Sequence, residues 1–245
     1  MVTEEEKKRC HRQILLFGEE GQERLKAARV LVAGAGGLGS PISFYLAAAG
    51  VGTLRIADCD TVEESNLNRQ ILHWSRDVGR PKTGSAVEKL AALNPLIRVE
   101  SVVERIEETT ARETALGCDL IVDALDNFPT RRLLNRTALS LGIPFVHGAV
   151  RGLYGQATTV IPGKTPCLRC IFPESPPPEV FPILGATCGV IGSIQATEVV
   201  KLLTGRGEPL AGRLFLWDGL AGTAETITVE RNPACPDCGT LDSAQ

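Results

Sequence analysis

The sequence predicts an α/β protein with a mostly parallel sheet in its N-terminal half and a more antiparallel C-terminal half. Three observations carry this. The apolar run Arg29 to Ala33 is short, β-branched and closed by glycine, as a buried parallel strand should be, and Pro41 to Ala49 after it is helical in composition. Further apolar strands at Thr53 to Ala57, Asp119 to Asp123 and Pro144 to Ala149 alternate with helical stretches, the βαβ rhythm of a Rossmann-like half. After Gly152 the rhythm changes to hairpin-like strands, Arg213 to Asp218 and Glu225 to Arg231, around one long helix near Thr187 to Leu203.

Residues 4 to 27 read as a helical segment with Leu15, Leu16 and Leu25 as buried positions and a break at Gly18 and Gly21. Pro81 starts a helix over Lys82 to Leu93, and Asn94-Pro95 stops it. Arg98 to Ile106 alternates as a strand would, and a short helix follows around Thr109 to Leu116. Asp126 and Asn127 follow the Asp119 to Asp123 strand and precede a helix over Phe128 to Leu141, which Asp126 could cap. One continuous domain is expected over 1–245: a helical segment 1–28, a nucleotide-binding half 29–150 and an antiparallel half 151–245.

The 245 residues are 43% hydrophobic and 22% charged, with a net charge of −3, which suits a soluble globular chain and offers no basic excess for nucleic acid or an anionic membrane. The N-terminus is charged where a signal peptide would be apolar, so a cytoplasmic location is expected.

The chemistry concentrates between residues 30 and 82. Gly34-x-Gly36-Gly37-x-Gly39 lies between the first strand and its helix, where bare backbone can approach a phosphate and the helix end can meet its charge. Asp58, at the end of the second strand, stands where an acid holds a ribose hydroxyl. The same span carries Asp60, Ser65, Asn66, Arg69 and Lys82, more phosphate and metal chemistry than a nicotinamide site needs. Two cations suit a triphosphate such as ATP, and neighbouring carboxylates suit Mg²⁺.

Eight cysteines without an export signal favour metal or reactive thiols over disulfides. Cys167-x-x-Cys170 and Cys235-x-x-Cys238 offer four thiolates, the complement of a closed, structural Zn²⁺ site. Cys10, Cys59 and Cys118 read as buried small hydrophobes. Cys188 sits at an expected helix start, where the positive helix end would lower its pKa; packing is the competing and favoured reading. His11, His73 and His147 lack ligand spacing and are assigned structural roles.

Taken together, Arg12-Gln13-Ile14, the glycine loop, Asp58-x-Asp60, Ser65-Asn66-Leu67-x-Arg69-Gln70, Gly79-x-Pro81-Lys82, Asp126-Asn127 and the two cysteine pairs resemble the ThiF/MoeB/HesA adenylyltransferases, bacterial relatives of ubiquitin-activating enzymes, over about residues 9 to 239. The resemblance implies ATP-dependent adenylation of the C-terminal glycine of a small ubiquitin-like sulfur-carrier protein, with Arg69, Lys82 and Asp126 as catalytic groups and a sulfurtransferase as a possible further partner. It also implies a homodimer in which Arg12 reaches the neighbouring subunit's phosphates. The chain departs from many relatives in one respect: its crossover loop, Glu174 to Pro182, has no cysteine. The competing enzyme reading is an NAD(P)-dependent oxidoreductase, which leaves Asn66, Arg69 and Lys82 unexplained. A non-catalytic partner subunit is a third.

Overall fold

The computed structural model describes residues 1–174 and 181–240. Its elements run α1 (Glu4–Ala27), β1 (Arg29–Ala33), α2 (Gly39–Ala49), β2 (Thr53–Ala57), α3 (Lys82–Leu93), β3 (Arg98–Val102), α4 (Ala111–Ala115), β4 (Leu120–Asp123), α5 (Phe128–Leu141), β5 (Phe145–Arg151), β6 (Tyr154–Val160), α6 (Leu168–Ile171), α7 (Gly185–Thr204), β7 (Arg213–Asp218) and β8 (Thr223–Thr228). One sheet takes them in the order β3-β2-β1-β4-β5-β6-β7-β8. Pairing is parallel from β3 through β5 and antiparallel from β5 through β8. The strand order reverses between β1 and β4, and the carboxyl ends at such a switch point leave a crevice for ligands.

The parallel half is buried on both faces. Val30, Leu31, Val32, Leu54, Ile56, Ile121 and Val122 are fully enclosed, as strands sandwiched between helices must be. On one face α2 and α7 complete a core with Leu46, Ile191 and Val199, and on the other α5 contributes Leu134 and Ala138 beside Phe145. No described helix is long and apolar enough to cross a membrane.

The expected helix α1 forms, with a capping box between Thr3 and Glu6 and a kink at Gly18, whose φ of 75° lies in the left-handed region. Two of its expected core residues do not face the core: Leu15 and Leu16 are 68% and 80% exposed. The inward stripe is Cys10, Phe17, Gly21 and Leu25, and positions one and two before Phe17 turn away at 3.6 residues per turn. The strand expected to reach Ile106 stops at Val102, because its partner β2 ends at Ala57, opposite Val102. The last hairpin strand lies at Thr223–Thr228 rather than running to Arg231, since Thr223 pairs with Asp218 and β7 begins at Arg213.

Candidate active site

The glycine loop follows β1 directly. Gly34 has a φ of 103°, and a side chain there would meet the Ala124 carbonyl at 2.6 Å; one at Gly39 would meet the Gly34 carbonyl at 2.0 Å. Glycine therefore permits both the turn and its close packing on the β4 loop. The turn is held by Asp58, whose carboxylate accepts from the Ala35 amide and from the Asp60 amide, each at 2.8 Å, and by His73, whose Nε2 lies 2.8 Å from the Ala35 carbonyl. His73 is thus a structural histidine. Burial lowers its pKa, so the ring favours its neutral form.

A cleft of 260 Å³ opens at this edge, and it gathers Gly34, Gly36, Gly37, Asp58, Asp60, Arg69, Lys82, Asp126 and Asn127. Lys82 begins α3 and points its ammonium at Asp60, 2.9 Å away. Arg69 is tethered lightly, donating to the Ser65 carbonyl at 3.0 Å and to Asn68 at 3.2 Å. Asp126 is exposed and makes no hydrogen bond or ion pair with any described residue. It is not the cap of α5. Asn127 takes that part, accepting from the Thr130 amide at 3.0 Å, which leaves the Asp126 carboxylate unspent.

Four of the residues singled out in the sequence lie elsewhere. Gly39 closes the turn beneath the cleft. Asn66 is buried and accepts from the Glu63 amide at 3.2 Å, while Ser65 is exposed beside it; neither lines the cleft. Arg12 is exposed on α1, is absent from the cleft wall and has no hydrogen-bond or ion-pair partner among the described residues.

A second, larger cleft of 1390 Å³ adjoins the first between β5, β6, β7 and α5, with Tyr154, Phe181, Trp217 and Glu225 in its walls. The two clefts share Asp126, Asn127, Arg131, Val150 and Phe181, so Asp126 stands at their junction. Arg131 was not anticipated from the sequence, although its place four residues after Asn127 on α5 aims it at the same edge. Gln70, quoted in the sequence motif without a role, also lines the cleft; it is 5% exposed, reaches under Gly36, and its Oε1 has no hydrogen-bond partner among the described residues.

Behind the junction lies a buried charged cluster. Asp123, at the end of β4, accepts from His147 Nδ1 at 2.7 Å and from the Leu125 amide at 3.1 Å, and its carboxylate lies 3.6 Å from Arg131 Nε. Arg131 donates from Nη2 to the Leu125 carbonyl.

The sulfur atoms of Cys167, Cys170, Cys235 and Cys238 all lie within 4.8 Å of one another. Cys167 and Cys235 are 3.7 Å apart and Cys170 and Cys238 3.4 Å, far beyond a disulfide bond and near the ~3.8 Å edge of a ZnS₄ tetrahedron. The Asn232 amide donates to the Cys170 sulfur at 3.4 Å, a stabilising contact for a thiolate ligand. The donor set fits zinc. The cluster also braces α5: Leu168 donates its amide to Asn135 at 2.9 Å, and Arg132 donates to the carbonyls of Phe172 and Pro173 at 2.8 and 2.9 Å.

Cys188 does lie in the first turn of α7, yet burial raises its thiol to about 11, so desolvation outweighs the helix end. Its sulfur packs beneath Gly37. Cys10 and Cys118 are buried as expected, but Cys59 is exposed, because it lies past the end of β2 at the cleft edge. Of the cysteine-free crossover loop, residues 175–180 lie outside the described residues.

The ThiF family model matches residues 10–237. The chain belongs to the ThiF family. This ThiF-family chain is 50% identical over 228 residues to the SAMP-activating enzyme E1 of Haloferax volcanii, covering 91% of this chain and 84% of that protein. It is 48% identical over 250 residues to the sulfur carrier protein adenylyltransferase of Thermus thermophilus, covering 97% and 92%. The probable adenylyltransferase/sulfurtransferase MoeZ of Mycobacterium tuberculosis matches at 44% over 247 residues, and the ThiF-family chain spans 63% of its length. Among solved structures, E. coli MccB with MccA-N7isoASN superposes with a TM-score of 0.88 at 24% identity, over 96% of this chain and 75% of that one. That match shows the shared fold.

Proposed function

We propose that this protein is an ATP-dependent adenylyltransferase that converts the C-terminal glycine carboxylate of a small ubiquitin-like sulfur-carrier protein into an acyl-adenylate, releasing pyrophosphate. The observation that carries this is the meeting of the two clefts at Asp126: a glycine-lined pocket with two cations on one side, and on the other a cleft whose 1390 Å³ has room for a peptide tail. The named activities of the Thermus and Haloferax relatives support the same reading.

A carboxylate is a poor acyl donor, and its adenylate has a good leaving group. In-line attack of the carboxylate oxygen on the α-phosphorus needs positive groups where negative charge develops. Lys82 and Arg69 supply them from this chain, while the glycine loop positions the phosphates and Asp58 the ribose. The oxygens of Asp126, unspent among the described residues, fit a hard cation such as Mg²⁺, which when bound would neutralise phosphate charge. Arg12 completes the site from a second copy in a symmetric dimer. Its lack of a partner among the described residues of its own chain and the exposed Leu15 and Leu16 beside it support that arrangement. A separate sulfurtransferase fits as the source of sulfur after adenylation, and the cytoplasm as the compartment.

The test is ATP–pyrophosphate exchange with purified carrier proteins ending in glycine. Exchange that depends on the carrier and is lost when its last glycine is removed supports the proposal. Reduction of NAD(P) without exchange would replace it with the oxidoreductase reading.

A further inference from the structure

The β4–α5 loop places Asp126 where the clefts join, yet among the described residues nothing holds the Asp126 side chain. What is held is its neighbour. The Leu125 peptide is fixed on both sides: its amide donates to Asp123 Oδ1 at 3.1 Å, and its carbonyl accepts from Arg131 Nη2. Asp123 is fully buried, and Arg131 is 5% exposed. A buried carboxylate this far from water persists only with its partners in place. His147 is one of them.

Asp123 and His147 are register partners on adjacent parallel strands, and on its other side His147 pairs antiparallel with Thr158 of β6. The Asp123 carboxylate can only accept, so His147 Nδ1 carries the hydrogen of their 2.7 Å bond. Its Nε2 faces the Gln156 amide nitrogen at 3.4 Å, which can only donate, so the ring is neutral. Burial, which lowers the pKa of this enclosed ring, agrees with that assignment. Phe172 packs edge-on against His147 with centroids 5.8 Å apart and against Phe128 at 5.7 Å, closing the cluster off.

We propose that Asp123, His147 and Arg131 are positioning residues that clamp the Leu125 peptide and thereby aim the Asp126 carboxylate at the reacting phosphate and carboxylate. This rests on the adenylation reading for its kinetic consequence. The clamp itself is independent of it. His147 works at one remove: its hydrogen bond orients Asp123, which with Arg131 pins the loop. Without the Nδ1 donor, Asp123 Oδ2 loses its closest partner, and the carboxylate whose Oδ1 holds the Leu125 amide loses its fixed orientation.

The experiment compares His147→Leu, which removes the donor, with His147→Asn, whose amide nitrogen occupies the place of Nδ1 and can still donate to Asp123. Amide hydrogen exchange at Leu125 reads the clamp, and carrier-dependent pyrophosphate exchange reads its effect. His147→Leu should accelerate Leu125 amide exchange and lower kcat by about 10- to 100-fold, the range for a lost hydrogen bond to a charged group, while the KM for ATP changes less than about twofold. His147→Asn should recover most of both losses. On the residual rate of Asp126→Ala, His147→Leu should cost nothing more, because the clamp acts through Asp126.

The proposal falls if Leu125 protection is unchanged in His147→Leu, if His147→Asn is as impaired as His147→Leu, or if the kinetic loss persists undiminished in the Asp126→Ala background. Should His147→Leu not fold, Arg131→Lys takes its place. It keeps a cation near Asp123 but cannot donate to the Leu125 carbonyl from a guanidinium, and the same effects are expected. If the wild-type protein shows no carrier-dependent exchange, the adenylation reading is what has failed, and Leu125 protection still decides the clamp.

Discussion

The Lys82 ammonium lies 2.9 Å from the Asp60 carboxylate, with the lysine side chain 8% exposed and the aspartate 62%. The hydrogen bond from Lys82 holds Asp60 below the ordinary carboxylate range, despite some burial. A triphosphate entering the cleft must draw Lys82 away from a partner that water can solvate in its place, so the lysine is available to the ligand.

Lys82→Ala should therefore lower carrier-dependent pyrophosphate exchange by about 10²- to 10³-fold, as loss of one donor to developing charge does, and Asp126→Ala should do the same. Both variants should keep cooperative thermal unfolding. Near-normal exchange in either one removes that residue from the mechanism.

Purified protein should contain about one zinc per chain, bound by Cys167, Cys170, Cys235 and Cys238. Elemental analysis checks this, and chelation should lower the melting temperature. Metal-free protein with these cysteines paired as disulfides would contradict it.

Cys188→Ala should leave acyl-adenylate formation intact, since the step needs no thiol. With burial holding this thiol at about 11, alkylation near pH 8 should mark the exposed Cys59 well before Cys188. Mass spectrometry of the labelled peptides distinguishes the two, and collapse of exchange in a folded Cys188→Ala variant would place the thiol in the adenylation chemistry.

Asp77 gives a prediction for acid stability. Its burial opposes the charge, but the buried Lys89 and the Trp74 amide outweigh that and carry its pKa down to about 2. The unfolded value is near 3.9, so the pair's contribution, about 2 to 3 kcal/mol, is fully present above about pH 4 and is lost as pH falls towards 2. Asp77→Asn should flatten stability over that window and, by leaving Lys89 buried without its charge partner, cost about 3 to 5 kcal/mol at pH 7. Denaturant melts at pH 7 and pH 3 measure both effects.

Hybrid dimers test the trans position of Arg12. A protomer with Arg12→Ala paired with one carrying Asp126→Ala puts both lesions in one site if Arg12 crosses over, leaving the other site whole. Up to about half the wild-type activity should return, for independent sites. No rescue in verified hybrids, or a monomer in solution, rejects the arrangement.

Much of the parallel half is legible in the sequence because its signals are local. β1, β2, α3 and α5 fall where glycine, proline and apolar runs place them, and the cleft residues Gly34, Gly36, Gly37, Asp58 and Asp60 lie within about one turn of the ends of β1 and β2. What the sequence conceals depends on distant partners. Leu15 and Leu16 read as core until Phe17 fixes which stripe of α1 faces inward. Cys188 reads as a helix-end thiolate until Gly37 is found packed over it. The bond from His147 to Asp123 joins residues 24 apart, and no spacing rule connects an aspartate at one strand end to a histidine within the next strand.

The sulfur cluster has a consequence for how the chain is made. Its two halves lie 68 residues apart, so on the ribosome the first pair of thiols waits through that stretch of polypeptide before the second arrives. By then every cleft residue from Gly34 to Asn127 has long been synthesised, but the brace that runs from Cys167–Cys170 through Arg132 and Asn135 into α5 is still unanchored. A nascent chain stalled before Cys235 thus holds all of these groups without the support behind α5. Metal capture, which requires Cys235 and Cys238, therefore comes after the cleft residues have been made.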